Sequence, residues 1–203
     1  MKILFAHGFE GRATGTKPRY LRDVLGHEVI APNMYDLGWT FEGHVQSVLS
    51  ILDSEPGIDA IVGSSMGGFA SAVALSRRPD LVIGAVLLAP AVGIHDKWAN
   101  EYGAEGMESW REEGTKAYWH NGWEKFIELP YSFWTECRDA AAVVVKHPCV
   151  ILHGVQDDVV PIGNSEALAA RSPGVREVIR TEDGHRLAES LGHLGPILDS
   201  LRT

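Results

Sequence analysis

Six short runs rich in β-branched and other apolar residues, each followed by a stretch of helix length, constrain this chain more than any other feature. They cover residues 2–6, 28–31, 59–63, 82–89, 149–153 and 175–180. Their apolar character is largely continuous, as expected of strands buried on both faces of a parallel sheet. Helix candidates fall between or after them at 17–25, 41–54, 66–78, 164–170 and 187–201, several stopped by Gly26, Pro56 or Pro79. The pattern predicts an α/β architecture, with helices packed on both faces of a six-stranded parallel sheet. A length of 203 residues predicts one domain.

One interval departs from the rhythm. Between the fourth and fifth runs, residues 93–139 are far longer than a simple crossover requires. Trp98, Trp110, Trp119, Trp123 and Trp134 all lie there, with Tyr102, Tyr118, Tyr131, Phe126 and Phe133. This segment is expected to be a mostly helical, aromatic-rich insertion. Large rings supply contact area at little entropic cost, so a lid or acyl pocket is one reading of it. A cap that buries its own aromatics, or a homodimer patch, is the other.

A formal charge of -9 argues against general attraction to nucleic acid or anionic lipid. No apolar stretch has the roughly 18 residues of a membrane helix. The Met1–Ala6 run is too short for a signal peptide and lacks a small-residue cleavage site, so a cytoplasmic location is expected. Two cysteines, Cys137 and Cys149, make neither a disulfide framework nor a zinc ligand set and read as small buried residues.

The chemistry-bearing pattern begins where the third run ends. Gly63-Ser64-Ser65-Met66-Gly67 matches the G-x-S-x-G nucleophile elbow, a strained strand-to-helix turn that lifts its serine above the sheet edge. Ser64 is out of frame, because Val62 stands where a glycine is needed. A serine hydroxyl is a weak nucleophile at neutral pH; it needs a base, and the base needs an acid to fix its tautomer. Downstream, His153-Gly154-Val155-Gln156-Asp157-Asp158-Val159-Val160-Pro161 resembles the H-G-x-x-D-x-x-V-P stretch that carries the acid in many α/β-hydrolases. That frame selects Asp157, with Asp158 and Asp183 as the alternatives.

Gly184-His185, in a polar turn after the sixth run, resembles the G-H of the last loop of that fold and makes His185 the expected base. His7-Gly8-Phe9, at the end of the first run, resembles its H-G-x loop. The backbone amides of Phe9 and Met66 are then the implied oxyanion donors. His7 and His153 are expected to be structural, and His27, His44, His95 and His120 to pack or lie on the surface.

The chain is thus similar over its whole length to the α/β-hydrolase superfamily. Leu4 to Gly11 followed by Lys17, in a short chain, is similar to the small bacterial YqiA-like esterases. Arg12-Ala13-Thr14-Gly15-Thr16 departs from the serine- and proline-rich turn expected there, which leaves the substrate open. The resemblance implies a three-layer α/β/α sheet of family order 4-3-5-6-7-8, lacking the usual N-terminal antiparallel strands. It implies cleavage of a small-molecule ester or thioester through an acyl-serine intermediate, with no cofactor and no metal. Acyl transfer through the same intermediate, or a non-catalytic binding module on the same scaffold, are the alternatives.

Overall fold

Alternation within each buried run decides which side of the sheet a side chain serves. In the computed structural model, which describes residues 1–202, six strands form one sheet: β1 (Lys2–Ala6), β2 (Glu28–Ile30), β3 (Ala60–Ser64), β4 (Gly84–Leu88), β7 (Cys149–Gly154) and β8 (Val175–Thr181). Ile3, Phe5, Ala60, Val62, Val86, Leu88, Val150 and Leu152 point into one core. Leu4, Ala6, Ile61, Ala85, Leu87, Cys149 and Ile151 point into the other. Both faces are therefore apolar, and the runs read as continuous because each side of the sheet is covered.

The spatial order is β2-β1-β3-β4-β7-β8, and every pairing in this sheet is parallel. This is the expected family order. The helices α2 (Phe41–Ser54), α3 (Met66–Arg77), α5 (Tyr131–Ala140) and α6 (Ile162–Arg171) cover one face through Val45, Phe69, Phe133 and Leu168. Leu21 and the last helix, α7 (Leu194–Ser200), cover the other. The first helix, α1 (Thr16–Arg19), continues as a wider π-turn over Tyr20–Val24, so the segment expected at 17–25 is helical but not uniformly α.

The aromatic-rich segment is mostly helical, as expected, through α4 (Ile94–Glu113) and α5, and between them lies an antiparallel hairpin, β5 (Thr115–His120) and β6 (Lys125–Pro130), that the sequence reading does not include. Its strands alternate exposed and covered positions, the period-2 signature of a ribbon with one face packed. Helix α4 is broken at Gly103, whose φ is +64°.

The last helix starts later than expected: Leu187 has a φ of +51°, and regular structure resumes only with a 3-10 turn at Leu191–His193. The intervening residues are bound to Asp183, whose Oδ2 accepts from the Glu189 amide and the Ser190 hydroxyl, both at 2.9 Å.

The aromatic segment also contributes to the main core. Trp110 is 2 % exposed, lies edge-on to Tyr102 and Tyr131, and donates its indole N–H to the Leu129 carbonyl at 3.0 Å. It thereby ties α4 to the hairpin. Trp110→Ala is expected to cost about 3–5 kcal/mol, from lost burial and the cavity left behind. Urea denaturation measures this, and an unchanged midpoint would mean that the α4–hairpin contact contributes nothing to folding.

Candidate active site

The turn from β3 into α3 carries Ser65 at φ +53° and ψ -118°, a conformation that non-glycine residues seldom adopt. Neighbouring backbone holds it there. The Ser65 amide donates to the Leu88 carbonyl at 2.8 Å, and its own carbonyl accepts from the Phe69 and Ala91 amides, each at 3.0 Å. A Cβ on Gly67 would overlap the carbonyl oxygens of Ala6 and His7, so glycine is what lets the elbow seat against the end of β1.

His185, in the loop after β8, reaches this serine: its Nε2 lies 2.9 Å from Ser65 Oγ. Its Nδ1 lies 2.7 Å from Asp157 Oδ2, in the loop after β7. Because the carboxylate can only accept, the ring proton sits on Nδ1 and the Nε2 lone pair faces the serine hydroxyl.

Asp157 is buried and fully engaged. Its Oδ1 accepts from the Val159 and Val160 amides at 2.9 and 2.8 Å. Its Oδ2 also lies 3.0 Å from His153 Nε2. Burial pushes the carboxyl pKa up, but hydrogen bonds from His153, His185 and the Val160 amide outweigh it and leave the group well below the usual carboxylate range. Asp157 is an anion wherever the fold exists at neutral pH.

The two loops meet because Gly154 has no side chain; a Cβ there would overlap the Asp183 carbonyl oxygen. The alternative acids do other work. Asp183 binds its own loop, through the Gly184 and Glu189 amides and the Ser190 hydroxyl, and the Asp158 carbonyl accepts from Lys97 at 2.8 Å.

The loop after β1 passes directly beside the serine, and a Cβ on Gly8 would lie 3.1 Å from Ser65 Cβ. His7 anchors it: its Nε2 accepts from the Met34 amide at 3.1 Å and its Nδ1 donates to the Gly8 carbonyl at 2.9 Å. Burial lowers the His7 pKa, consistent with a neutral ring that accepts on one side. Among the described residues the Phe9 amide donates to no protein acceptor. Met66 opens α3, where the first amides have no carbonyl one turn back.

Sequence reasoning did not foresee how the hairpin grips this loop. The Trp123 amide donates to His120 Nδ1 at 3.1 Å, so the proton of that ring is on Nε2, which donates to the Phe9 carbonyl at 2.6 Å. Glu10 accepts from the Tyr118 hydroxyl at 2.8 Å and the Asn121 amide group at 2.7 Å, and Arg12 donates to the Gly122 carbonyl. His153, expected to be structural, also shares Asp157 with His185; its i,i+4 spacing from the acid is the available signal.

Ser65, His185, Phe9 and Met66 all line one cavity of about 700 Å³, with Asp157 behind His185. Its apolar wall includes Ile94, Trp98, Tyr118, Val159 and Val160. The aromatic segment divides its rings between tasks: Trp110 and Phe133 are buried in the core, Trp98 and Tyr118 face the cavity, and Trp119 and Phe126 remain exposed. Among the described residues, no group of three or more His, Cys, Asp or Glu side chains is placed to hold a metal ion, and no helix is long and apolar enough to cross a membrane. Cys137 and Cys149 are free and buried, and burial pushes the Cys149 thiol up to about 12.

The chain resembles known proteins over nearly its whole length. Palmitoyl-protein thioesterase ABHD10, mitochondrial, from Mus musculus is 30% identical over 210 residues, which cover 92% of this chain and 69% of that protein. The Homo sapiens protein of the same name is 28% identical, covering 92% and 67%. Among solved structures, alpha/beta hydrolase domain-containing protein 10 from mouse has a TM-score of 0.79 at 27% identity, covering 98% of this chain and 88% of that one. Est1E from Butyrivibrio proteoclasticus has a TM-score of 0.75 at 19% identity, covering 98% and 85%, a likeness of fold alone. Residues 2–201 match the family described as "Uncharacterised protein family (UPF0227)", and the chain belongs to that family, as a hydrolase of the α/β-hydrolase superfamily.

Proposed function

We propose that this protein is a serine hydrolase that cleaves a carboxylic ester or thioester through an acyl-Ser65 intermediate. The observation that carries the reading is the unbroken chain from Ser65 Oγ to His185 Nε2 at 2.9 Å and from His185 Nδ1 to Asp157 Oδ2 at 2.7 Å. The palmitoyl-protein thioesterase named among its relatives adds support for an acyl substrate.

In this mechanism Ser65 Oγ attacks the acyl carbonyl while His185 Nε2 takes its proton. Asp157, held as an anion, keeps the imidazole in the required tautomer and stabilises the cation it becomes. The oxyanion of the tetrahedral intermediate receives the amides of Phe9 and Met66, each such donor being typically worth about 10²- to 10³-fold in rate. His185 then protonates the departing alcohol or thiol. Water attacks the acyl-Ser65 carbonyl, losing its proton to His185, and the acid leaves as Ser65 recovers its hydrogen.

The aromatic segment at 93–139 serves in this reading as an acyl pocket. Ile94 and Trp98 from α4, with Tyr118 from the hairpin, give the cavity an apolar wall beside the nucleophile, within the size range of small-molecule sites.

Labelling with a serine-reactive fluorophosphonate is expected for the wild type and not for Ser65→Ala; equal labelling would remove the nucleophile. Asp157→Asn is expected to lower kcat by about 10⁴-fold by favouring the wrong His185 tautomer. Steady-state kinetics on a p-nitrophenyl ester measures this, and retained turnover would assign the acid elsewhere. Across p-nitrophenyl esters of increasing acyl length, kcat/KM is expected to rise as the chain reaches Ile94 and Trp98, whereas indifference to length would count against the acyl pocket.

A further inference from the structure

A second cavity, of about 440 Å³, lies next to the one that holds the nucleophile; the two share Gly8, Glu10, Gly11, Lys17, Ser64 and Arg186. None of the apolar wall residues Ile94, Trp98, Val159 and Val160 reaches it; Arg12, Lys17 and Arg186 line it, together with Glu10 and with Phe5 and Leu191. Three cations thus gather in one cleft of a chain whose formal charge is -9.

Charge neutralisation within the protein does not account for them all. Arg12 is committed to the Gly122 carbonyl. Glu10, the carboxylate that lines the same cleft, accepts from Tyr118 and Asn121 and makes no ion pair with Lys17 or Arg186. Asp183, the other nearby carboxylate, binds its own loop. Most other basic side chains, such as Arg77 with Glu42 and Arg180 with Glu166, pair with an acid. Lys17 and Arg186 have neither an ion pair nor a hydrogen-bond acceptor among the described residues, although Lys17 is partly buried. Burial and the neighbouring Arg186 both lower the Lys17 pKa, and Asp183 only partly opposes them. An anion placed between the two cations would relieve that cost.

We propose that Lys17 and Arg186 form a subsite for an anionic group, a carboxylate or phosphate, carried on the leaving-group side of the substrate. The inference rests on the reading of Ser65 as an acyl-accepting nucleophile. With the acyl chain along the apolar wall, the other end of a substrate spanning Ser65 enters the cationic cleft. Arg186 directly follows His185, the group that protonates the departing oxygen or sulfur. The acyl–oxygen or acyl–sulfur bond breaks, the acyl group stays on Ser65, and the leaving alcohol or thiol departs with the His185 proton and its own anion held by Lys17 and Arg186.

Two matched pairs with one decanoyl group test this by kcat/KM: 4-(decanoyloxy)benzoate against its methyl ester, and S-decanoyl-4′-phosphopantetheine against S-decanoyl-pantetheine. The wild type is expected to prefer the charged member of at least one pair by about 10- to 100-fold, the worth of charge-assisted hydrogen bonds, and the preferred pair identifies carboxylate or phosphate. The preference is expected to shrink with salt and to collapse towards unity in the double variant Lys17→Met with Arg186→Met. Lys17→Arg should keep it, as should Lys146→Met, which removes an exposed charge elsewhere. If the double variant does not fold, Arg186→Met alone must lower the ratio.

No preference in either pair, or a preference that survives the double variant, overturns the subsite. So does a preference confined to mono-p-nitrophenyl succinate over p-nitrophenyl butyrate, which would place the anion on the acyl side. Loss of all ester cleavage and of Ser65-dependent fluorophosphonate labelling would instead overturn the nucleophile reading beneath it.

Discussion

The close approach of backbone to backbone at two glycines is what the whole site depends on. Gly67 lets the elbow press against the carbonyls that end β1, and Gly154 lets the exit of β7 press against the loop after β8. These contacts bring groups far apart in the chain, Ser65, Asp157 and His185, within hydrogen-bonding distance. The parallel sheet makes this possible, since all its strands deliver their C-terminal ends to one edge and ligands in such folds sit outside that edge. The strained φ at Ser65 is sustained because the Leu88, Phe69 and Ala91 backbones leave it no better partner. Position in this site is set by main chain, and side-chain chemistry is laid upon it.

Such an arrangement explains what the sequence discloses. The sheet is legible because burial on both faces makes every strand apolar throughout, and that is a local property of each run. The elbow is legible because close approach demands glycines at fixed offsets from one serine. The frame around Asp157 points to the residue that touches His185, where the adjacent Asp158 turns its carbonyl to Lys97 instead.

Features that depend on distant partners are not legible in the same way. The hairpin within the mostly helical segment is not announced because its aromatic strands, with Trp119 and Phe126 left exposed, carry no clean apolar face. The late start of the last helix is hidden because nothing local reveals that Asp183 captures the Glu189 amide. The roles of His7, His120 and His153 are fixed by the Met34 amide, the Phe9 carbonyl and the Asp157 carboxylate, and none of these contacts leaves a compositional trace.

The hairpin's grip on the loop after β1 bears on how the aromatic segment can behave. His120 and Tyr118 reach Phe9 and Glu10 from β5, while Asn121 and Gly122 at the tip take Glu10 and Arg12. Phe9 itself sits among the rings of Tyr35, Trp39, Tyr118, His120 and Phe133.

Swinging the hairpin away as one body would break these bonds together and strip Phe9 of the carbonyl contact that orients its peptide units. A donor aimed at a developing charge is effective only when it is already in place. The same contacts that close the cavity thus fix the loop whose amide would receive the oxyanion, and opening the hairpin would disorder that donor. Such a grip, made by strand and tip alike, argues against a hairpin that swings as a lid.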